Sequence, residues 1–152
     1  MPIDWESIYR GAESEDRAPM ELLPSRPFVC RILEIEDNED RQFWKIMIDI
    51  AEGKWANYFN KLLENEGTYW QGYVYQSYSK YAMQYFMNFT KCVADSNEGF
   101  TLSGATAESF VGRVVGIHLK PEPYRTQSGY DRTRYKMQKV MCADTVRAKY
   151  PE

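Results

Sequence analysis

Residues 41–50 read RQFWKIMIDI, and two sets of side chains alternate along this stretch. One set is strongly apolar and comprises Trp44, Ile46, Ile48 and Ile50, whereas the other comprises Phe43, Lys45, Met47 and Asp49. A period of two is typical of a β-strand that buries one of its faces. We therefore predict a strand whose tryptophan and isoleucines point into the core and whose outer face carries Phe43 and Lys45.

Four more segments are predicted to be strands, because they are rich in β-branched and aromatic residues. They are residues 26–35, 68–77, 110–119 and 133–143. The polar residues 37–40 predict a turn that joins the first of these segments to the strand at residues 41–50 as a hairpin. The last two strands are predicted to be connected by a loop of 13 residues, 120–132.

Two segments between these strands have apolar residues at helical spacing. Residues 51–67 predict a short helix over one mouth of a barrel, with apolar positions at Trp55, Tyr58, Phe59, Leu62 and Leu63. Residues 78–95 predict the main helix. Its apolar stripe comprises Tyr78, Ala82, Tyr85, Phe86, Phe89 and Val93.

The order of these elements is that of a five-stranded OB-fold barrel, with an extra short helix after the second strand. An SH3-like barrel would not carry so long a helix after its third strand, and a parallel βαβ sheet would need helices after most strands. We expect residues 26–148 to form an all-β domain with one main helix. A flexible acidic leader, residues 1–25, is predicted to precede it, and residues 149–152 are predicted to be a tail.

Composition excludes several classes of protein. The chain of 152 residues has room for one domain with a substantial core. Its three cysteines are far apart and odd in number, which supports neither a disulfide framework nor a zinc site. The N-terminus lacks the pattern of a signal peptide, and no apolar stretch approaches the roughly 20 residues of a membrane span. The sequence therefore predicts a cytoplasmic protein with no membrane partner.

Charge is distributed unevenly along the chain, although the net charge is only −3. The balance is −7 in residues 1–40, −1 in residues 41–110 and +6 in residues 111–150. An ordinary solvated surface mixes the two signs, so this segregation predicts a basic face formed by the last third of the chain. The 12 tyrosines, 7 phenylalanines and 4 tryptophans are too many for a small barrel to bury, which predicts exposed rings.

Cations and tyrosines alternate in residues 120–139, which include Tyr124, Tyr130 and Tyr135. Single-stranded nucleic acid calls for this combination, because cations neutralise phosphates and unpaired bases stack on rings. The outer faces of the second and third strands add rings beside a lysine, a pattern typical of an oligonucleotide platform. The predicted nucleic-acid-binding residues are Arg31, Phe43, Lys45, Tyr73, Tyr75, Lys120, Tyr124, Arg125, Tyr130, Arg132, Arg134 and Lys136.

Other interpretations of these residues stay open. The stretch at residues 120–139 fits an ordinary solvated hairpin whose tyrosines cover a barrel edge, and the leader or a second subunit could cover the outer rings. For the acidic leader, a solubilising tail is the first interpretation. The leader also fits a segment that occupies the basic groove when nucleic acid is absent, or one that recruits a basic partner protein.

Nothing in the sequence predicts catalysis. His118 is the sole histidine and lies between Ile117 and Leu119 in a predicted strand, which favours a structural role. No paired acidic motif stands out, and the glycines match neither a P-loop nor a dinucleotide-binding fingerprint. We expect a non-enzymatic protein without a cofactor or a metal ion.

Several segments resemble motifs of a family of small proteins encoded by phages and integrated elements of low-GC Gram-positive bacteria. Residues 48–59, IDIAEGKWANYF, resemble the family's D-I-A-E-G-x-(aromatic)-x-x-Y-F segment, and residues 96–100, SNEGF, resemble its S-N-x-G-(aromatic) turn. Residues 110–116, FVGRVVG, and residues 122–124, EPY, resemble its F-x-G-K-x-x-G and E-x-Y motifs. Pro123 stands where the family usually has an acidic residue, which alters the shape or charge of this loop.

The resemblance covers residues 26–148 and implies an OB-like fold that associates with single-stranded DNA. We therefore predict a DNA-binding phage protein of DNA replication or DNA recombination, acting in a bacterial or phage-infected host cell. A replication or recombination protein is a further expected partner, and the oligomeric state is left open. The alternatives are an OB-fold adaptor that binds protein without nucleic acid, and a structural component of the virion.

Overall fold

The computed structural model of the protein describes residues 20–67 and 69–152. Most of the predicted acidic leader, residues 1–19, therefore lies outside the described residues. The last part of that leader contacts the domain, because Leu23 is buried in the core and the carbonyl of Glu21 accepts a 2.8 Å hydrogen bond from the Tyr58 hydroxyl. The chain is thus anchored before the first strand begins.

Five antiparallel strands form one sheet. They are β1 (Arg26–Asn38), β2 (Phe43–Ile50), β3 (Tyr73–Ser77), β4 (Val114–Arg125) and β5 (Asp131–Met141). Their order across the sheet is β3-β2-β1-β4-β5. The prediction of five strands in this chain order is confirmed.

The sheet is open between β3 and β5. Backbone ladders join the neighbours in the order given, and none joins β3 to β5 within the described residues. The two edge strands nevertheless approach each other, and a cleft separates them.

Three helices pack against the sheet in the described part of the chain. They are α1 (Tyr58–Glu66), α2 (Met83–Ser96) and α3 (Ala143–Lys149), with shorter 3₁₀ turns at Lys80–Ala82 and Ala107–Phe110. No helix within residues 20–67 and 69–152 has both the length and the apolar character needed to cross a membrane.

Helix α3 corrects the expectation of an all-β domain with one main helix, because the fold is mixed α/β. This helix has seven residues and buries only Ala143 and Val146, too few for an apolar period to be recognised in sequence. It lies against Gly116 of β4, where a Cβ atom would be 2.6 Å from Cγ2 of Val146. The glycine therefore makes room for the helix.

The apolar face of β2 builds the core, as its alternation predicts. The buried side chains that β2 and the helices α1 and α2 contribute are Trp44, Ile46, Ile48, Ile50, Tyr58, Phe59, Leu62, Phe89 and Val93. Tyr85 was expected in the same apolar stripe but is 71% exposed. It lies at the border of the helix arc that Phe86, Phe89 and Val93 occupy, so it turns to solvent.

The predicted 13-residue loop at residues 120–132 is wrong, because most of it is strand. β4 continues to Arg125 and β5 begins at Asp131, which leaves a turn at residues 126–130. Pro121 and Pro123 favour a loop in sequence, but β1 pairs with β4 only as far as Leu119. Beyond that residue β4 has one neighbour, and a strand with a free edge tolerates prolines whose nitrogens face away from the partner.

Candidate nucleic-acid interface

The cleft between β3 and β5 has a volume of about 670 Å³ and is lined mainly by aromatic and cationic side chains. Its lining residues are Lys45, Tyr69, Trp70, Gln71, Tyr73, Tyr75, Glu122, Tyr124, Thr133, Arg134, Tyr135 and Lys136. Six of the predicted binding residues are among them, namely Lys45, Tyr73, Tyr75, Tyr124, Arg134 and Lys136. The structure therefore brings together side chains that the sequence separates by some 90 positions.

One wall of the cleft is the outer face of β2 and β3. In β3 the pleat buries Val74 and Gln76 and turns Tyr73 and Tyr75 outward. Lys45 of β2 lies directly opposite Tyr75 in the ladder, and its Nζ is 4.3 Å from the centroid of the Tyr73 ring. This wall thus presents two rings beside one cation.

Phe43 extends the same wall toward the end of β3. Its ring centroid is 5.8 Å from that of Tyr75, in an edge-to-face arrangement. Phe43 also pairs with Ser77, the last residue of β3. The row of outward rings therefore continues past the cleft in the direction of α2.

The opposite wall is the outer face of the β4–β5 hairpin. The guanidinium carbon of Arg134 lies 5.5 Å from the centroid of the Tyr124 ring, which holds the cation against an aromatic face. Lys120 and Lys136 stand opposite each other in the ladder. Neither lysine forms an ion pair with another described residue. Two like charges side by side create a local site of positive potential.

Tyr69 lines the cleft and is held there by Arg132, which lies beside the cleft. The Arg132 guanidinium donates a 3.0 Å hydrogen bond to the Tyr69 hydroxyl and also lies over the ring of Tyr69, 5.3 Å from its centroid. Partial burial, followed by the neighbouring Tyr69, raises the pKa of Tyr124. The Tyr124 phenol is therefore neutral at physiological pH, so it brings no negative charge to the cleft.

Two ion pairs hold cations of the hairpin. Arg134 lies 3.9 Å from Glu122, the one carboxylate among the residues that line the cleft in the described part of the chain. Arg125 donates to Asp131 at 3.1 Å near the turn, and both of these side chains are well exposed. Exposed pairs of this kind contribute little energy, so a phosphate can displace the carboxylate without a large penalty.

Other predicted residues lie outside the cleft. Arg31 projects from β1 and donates a 2.7 Å hydrogen bond to the carbonyl of Gly112, away from β3 and β5. Tyr130 is well exposed in the turn of the hairpin, next to the Arg125–Asp131 pair. Lys120 and Arg132 flank the hairpin wall without lining the cleft.

Tyr135 corrects one part of the sequence interpretation, because it belongs to the core. Its side chain is only 5% exposed, so it offers no open face to a base. Its hydroxyl lies 3.3 Å from the Tyr58 hydroxyl, and its ring packs edge-to-face against Phe59, with centroids 5.2 Å apart. Helix α1 therefore holds β5, and with it one wall of the cleft, against the domain.

Tyr69, Trp70 and Gln71 line the cleft just before β3 but were not among the predicted binding residues. These residues are not in a strand as predicted, since β3 begins at Tyr73. The chain bends at Gly72, where a Cβ atom would lie 2.5 Å from the carbonyl oxygen of Ile48 and 2.6 Å from the Phe59 ring. The Trp70 indole N–H donates to that same carbonyl at 3.1 Å. The crowding of rings in residues 69–75 was the available signal.

Within residues 20–67 and 69–152, no group of three or more His, Cys, Asp or Glu side chains could hold a metal ion. His118 lies on β4, where its Nε2 is 3.0 Å from the Ser25 hydroxyl. Burial, followed by the charge of Lys139, lowers the pKa of His118.

No protein-family model matches the sequence, and no curated protein matches it significantly.

Proposed function

We propose that the protein is a non-enzymatic binder of single-stranded DNA and that the strand lies in the cleft between β3 and β5. The observation that supports this most directly is the composition of the two walls. The rings of Tyr69, Tyr73, Tyr75 and Tyr124 line the cleft, and each wall carries at least one cation. A phosphate-rich, base-bearing chain is the ligand class that matches such a surface.

The chemistry of binding follows from the contacts. Bases stack on the exposed tyrosine faces, and each such contact is worth about 1–3 kcal/mol. Lys45, Arg134 and Lys136 neutralise the phosphates, with counterion release as a driving force. A cleft of about 670 Å³ also lies within the usual size range of small-ligand sites, so it accepts a short segment of strand at a time.

The fold supports the same proposal. We take the open sheet to be an incompletely closed OB-type barrel, because its five strands carry a helix between β3 and β4 and its edge strands β3 and β5 face each other across the cleft. In OB folds the face of strands 2 and 3 and the loop between strands 4 and 5 bind oligonucleotides. The cleft lies between these two regions.

A role in phage or mobile-element replication or recombination rests on the resemblance of residues 48–59, 96–100, 110–116 and 122–124 to that family. Sequence-tolerant coverage of an exposed strand suits such a role. Stacking on tyrosines and contacts to phosphates do not discriminate between bases, which agrees with a protein that covers strands of any sequence.

The alternative of a protein adaptor is favoured by one observation. Glu36 of β1 lies directly opposite Lys45 in the ladder, and Glu34 lies opposite Met47, so an exposed acidic row adjoins the aromatic wall. Such a row repels phosphates and would suit a basic partner protein. The two functions differ in their response to oligonucleotide.

A fluorescence titration tests the proposal. Trp70 lines the cleft, so binding of oligo-dT of about 20 nucleotides should change tryptophan emission. The change should be large at low salt and small at high salt, because salt weakens binding to phosphates. A duplex of the same length should bind much less tightly. No response to micromolar single strand at low salt would overturn the proposal and favour the adaptor.

A variant pair locates the site. Tyr124→Ala should weaken oligo-dT binding about tenfold, because it removes one stacking face. Tyr150→Ala removes a partly exposed tyrosine that follows α3 and does not line the cleft, and it should leave affinity unchanged. Equal affinity in both variants would place the binding surface elsewhere.

A further inference from the structure

Helix α2 presents two tyrosine rings to solvent that the proposed cleft does not use. Tyr81, in the 3₁₀ turn before α2, is 94% exposed, and Tyr85 in its first turn is 71% exposed. They border a concave surface of about 520 Å³, whose lining is Lys80, Tyr81, Met83, Gln84, Tyr85 and Asn88. Exposed apolar side chains that cluster on one surface, unlike scattered ones, mark interaction sites.

The arrangement of the helix surface identifies the kind of partner. With about 100° of rotation per residue, Tyr85 lies on one border of the exposed face of α2 and Met83 and Met87 lie on the other. Between these borders lie Gln84, Asn88 and Lys91. Lys80 and Tyr81, in the preceding 3₁₀ turn, line the same concave surface as Tyr85. A protein-docking surface usually has an apolar centre with a polar rim, whereas here the centre is polar and cationic.

The charge of this face also favours a polyanion. Residues 78–94 contain Lys80 and Lys91 and no acidic residue. In the described residues no side chain caps the first turn of α2 or of the 3₁₀ turn before it, so the positive end of the helix dipole is not compensated there. The neighbouring carboxylate of Asp37 is engaged by the Tyr78 hydroxyl at 2.7 Å.

The position of the face relative to the cleft sets its role. Ser77 ends β3 and pairs with Phe43, whose ring contacts Tyr75 of the cleft wall. Only three residues separate Ser77 from Tyr81, so their Cα atoms are at most about 14 Å apart. A strand that leaves the cleft past Tyr75 and Phe43 therefore reaches Tyr81 within a few nucleotides.

We propose that this face, defined by Lys80, Tyr81, Gln84, Tyr85, Asn88 and Lys91, is a second contact surface for the same single strand. It rests on the proposed function, since it receives the nucleotides that extend beyond the cleft. Bases stack on Tyr81 and Tyr85, while the lysines and amides contact phosphates. The length of strand that the protein covers is then set by α2 as well as by the cleft.

The experiment compares two lengths of oligo-dT, about 6 and about 20 nucleotides, because a single OB domain covers roughly 4–16. The double variant Tyr81→Ala/Tyr85→Ala should bind the short strand as the wild type does and the long strand about tenfold or more weakly. Tyr81→Phe/Tyr85→Phe keeps both rings and should restore long-strand affinity. Met87→Ala, an exposed residue on the other border of the same helix that does not line the concave surface, is the matched control and should match the wild type for both lengths.

Each contrary result has a distinct meaning. Unchanged long-strand affinity in the alanine variant overturns the second surface and leaves cleft binding intact. An equal loss for both lengths, or a loss in the methionine variant too, also overturns it, because the effect is then not specific to strand beyond the cleft. If the wild type self-associates, and the alanine variant loses this self-association but keeps its oligo-dT affinity, the face mediates contacts between copies of the protein. If the wild type binds neither the short nor the long strand, the proposed function itself is overturned.

Discussion

The carboxylate of Asp49 on β2 accepts the backbone N–H of Phe59, the second residue of α1, at 2.9 Å. It also accepts the N–H groups of Ile50 at 2.8 Å and Asn60 at 3.1 Å. Asn57, at the helix start, makes no capping hydrogen bond, so a residue from the neighbouring strand satisfies the first turn. Because α1 packs on Tyr135 of β5, Asp49 helps to position the far wall of the cleft.

Replacement of Asp49 by alanine should lower the free energy of unfolding by about 1–3 kcal/mol, since it leaves helical N–H groups without an acceptor inside the domain. Asp49→Asn keeps one acceptor oxygen and should lose less. Urea denaturation measures both, with Glu98→Ala, an exposed residue after α2, as the control. Equal stability of Asp49→Ala and the wild type would contradict the capping role.

The two tyrosines of the hairpin should behave differently. Tyr135→Phe removes a buried hydroxyl that lies 3.3 Å from Tyr58 and should cost about 1 kcal/mol of folding free energy. It should leave oligo-dT affinity unchanged because the ring is inside the core. Tyr124→Phe should keep both stability and affinity, whereas Tyr124→Ala loses affinity. A loss of binding in a folded Tyr135→Phe protein would contradict this division.

Removal of the cleft carboxylate should strengthen binding. Glu122→Gln eliminates one negative charge from the lining and releases Arg134, so affinity for oligo-dT should rise about two- to fivefold. The gain should shrink as salt is added, because screening weakens the repulsion that was removed. Glu108→Gln, in the 3₁₀ turn before β4, removes the same charge away from the cleft and should have no effect.

Lys136 should contribute one phosphate contact. Lys136→Ala should make the slope of log affinity against log salt less negative by about 0.7, the value for one neutralised phosphate on a single strand. Lys149→Ala, on the exposed side of α3, removes the same charge from a different surface and should leave the slope unchanged. An unchanged slope in Lys136→Ala would exclude this lysine from the interface.

His118 should titrate below its ordinary value of 6.5, because burial first, and then Lys139, lower its pKa in the folded state. The neutral ring is thus favoured by folding. The neutral His118 ring therefore contributes to the stability of the fold above pH 6.5, and this contribution is lost as the pH falls through the pKa of the folded state. Proton NMR of this sole histidine measures the value directly, and Lys139→Ala should raise it. A pKa at or above 6.5 in the wild type would contradict the prediction.

Much of the fold was predictable because its signals are local. The alternation in residues 41–50 reports burial of one face of β2, and the structure buries all four apolar residues of that set. Helical spacing placed α1 and α2, although their first turns were predicted too early. Helix α3 and the full length of the β4–β5 hairpin were missed, because a seven-residue helix shows no clear period and because prolines on a free strand edge resemble a loop.

The sequence by itself determined the number and order of the strands, the core face of β2 and the concentration of cations in the last third of the chain. The tertiary structure alone decided which of those rings and cations meet. Tyr69 and Tyr73 come before α2 and Tyr124 and Arg134 come after it, so they share a cleft only because the sheet curls until its edge strands β3 and β5 approach each other. The tertiary structure also turned Tyr135 inward and Tyr124 outward. Alternation along a strand states which residues share a face, but only the packing of α1 against β5 states which of the two faces is buried.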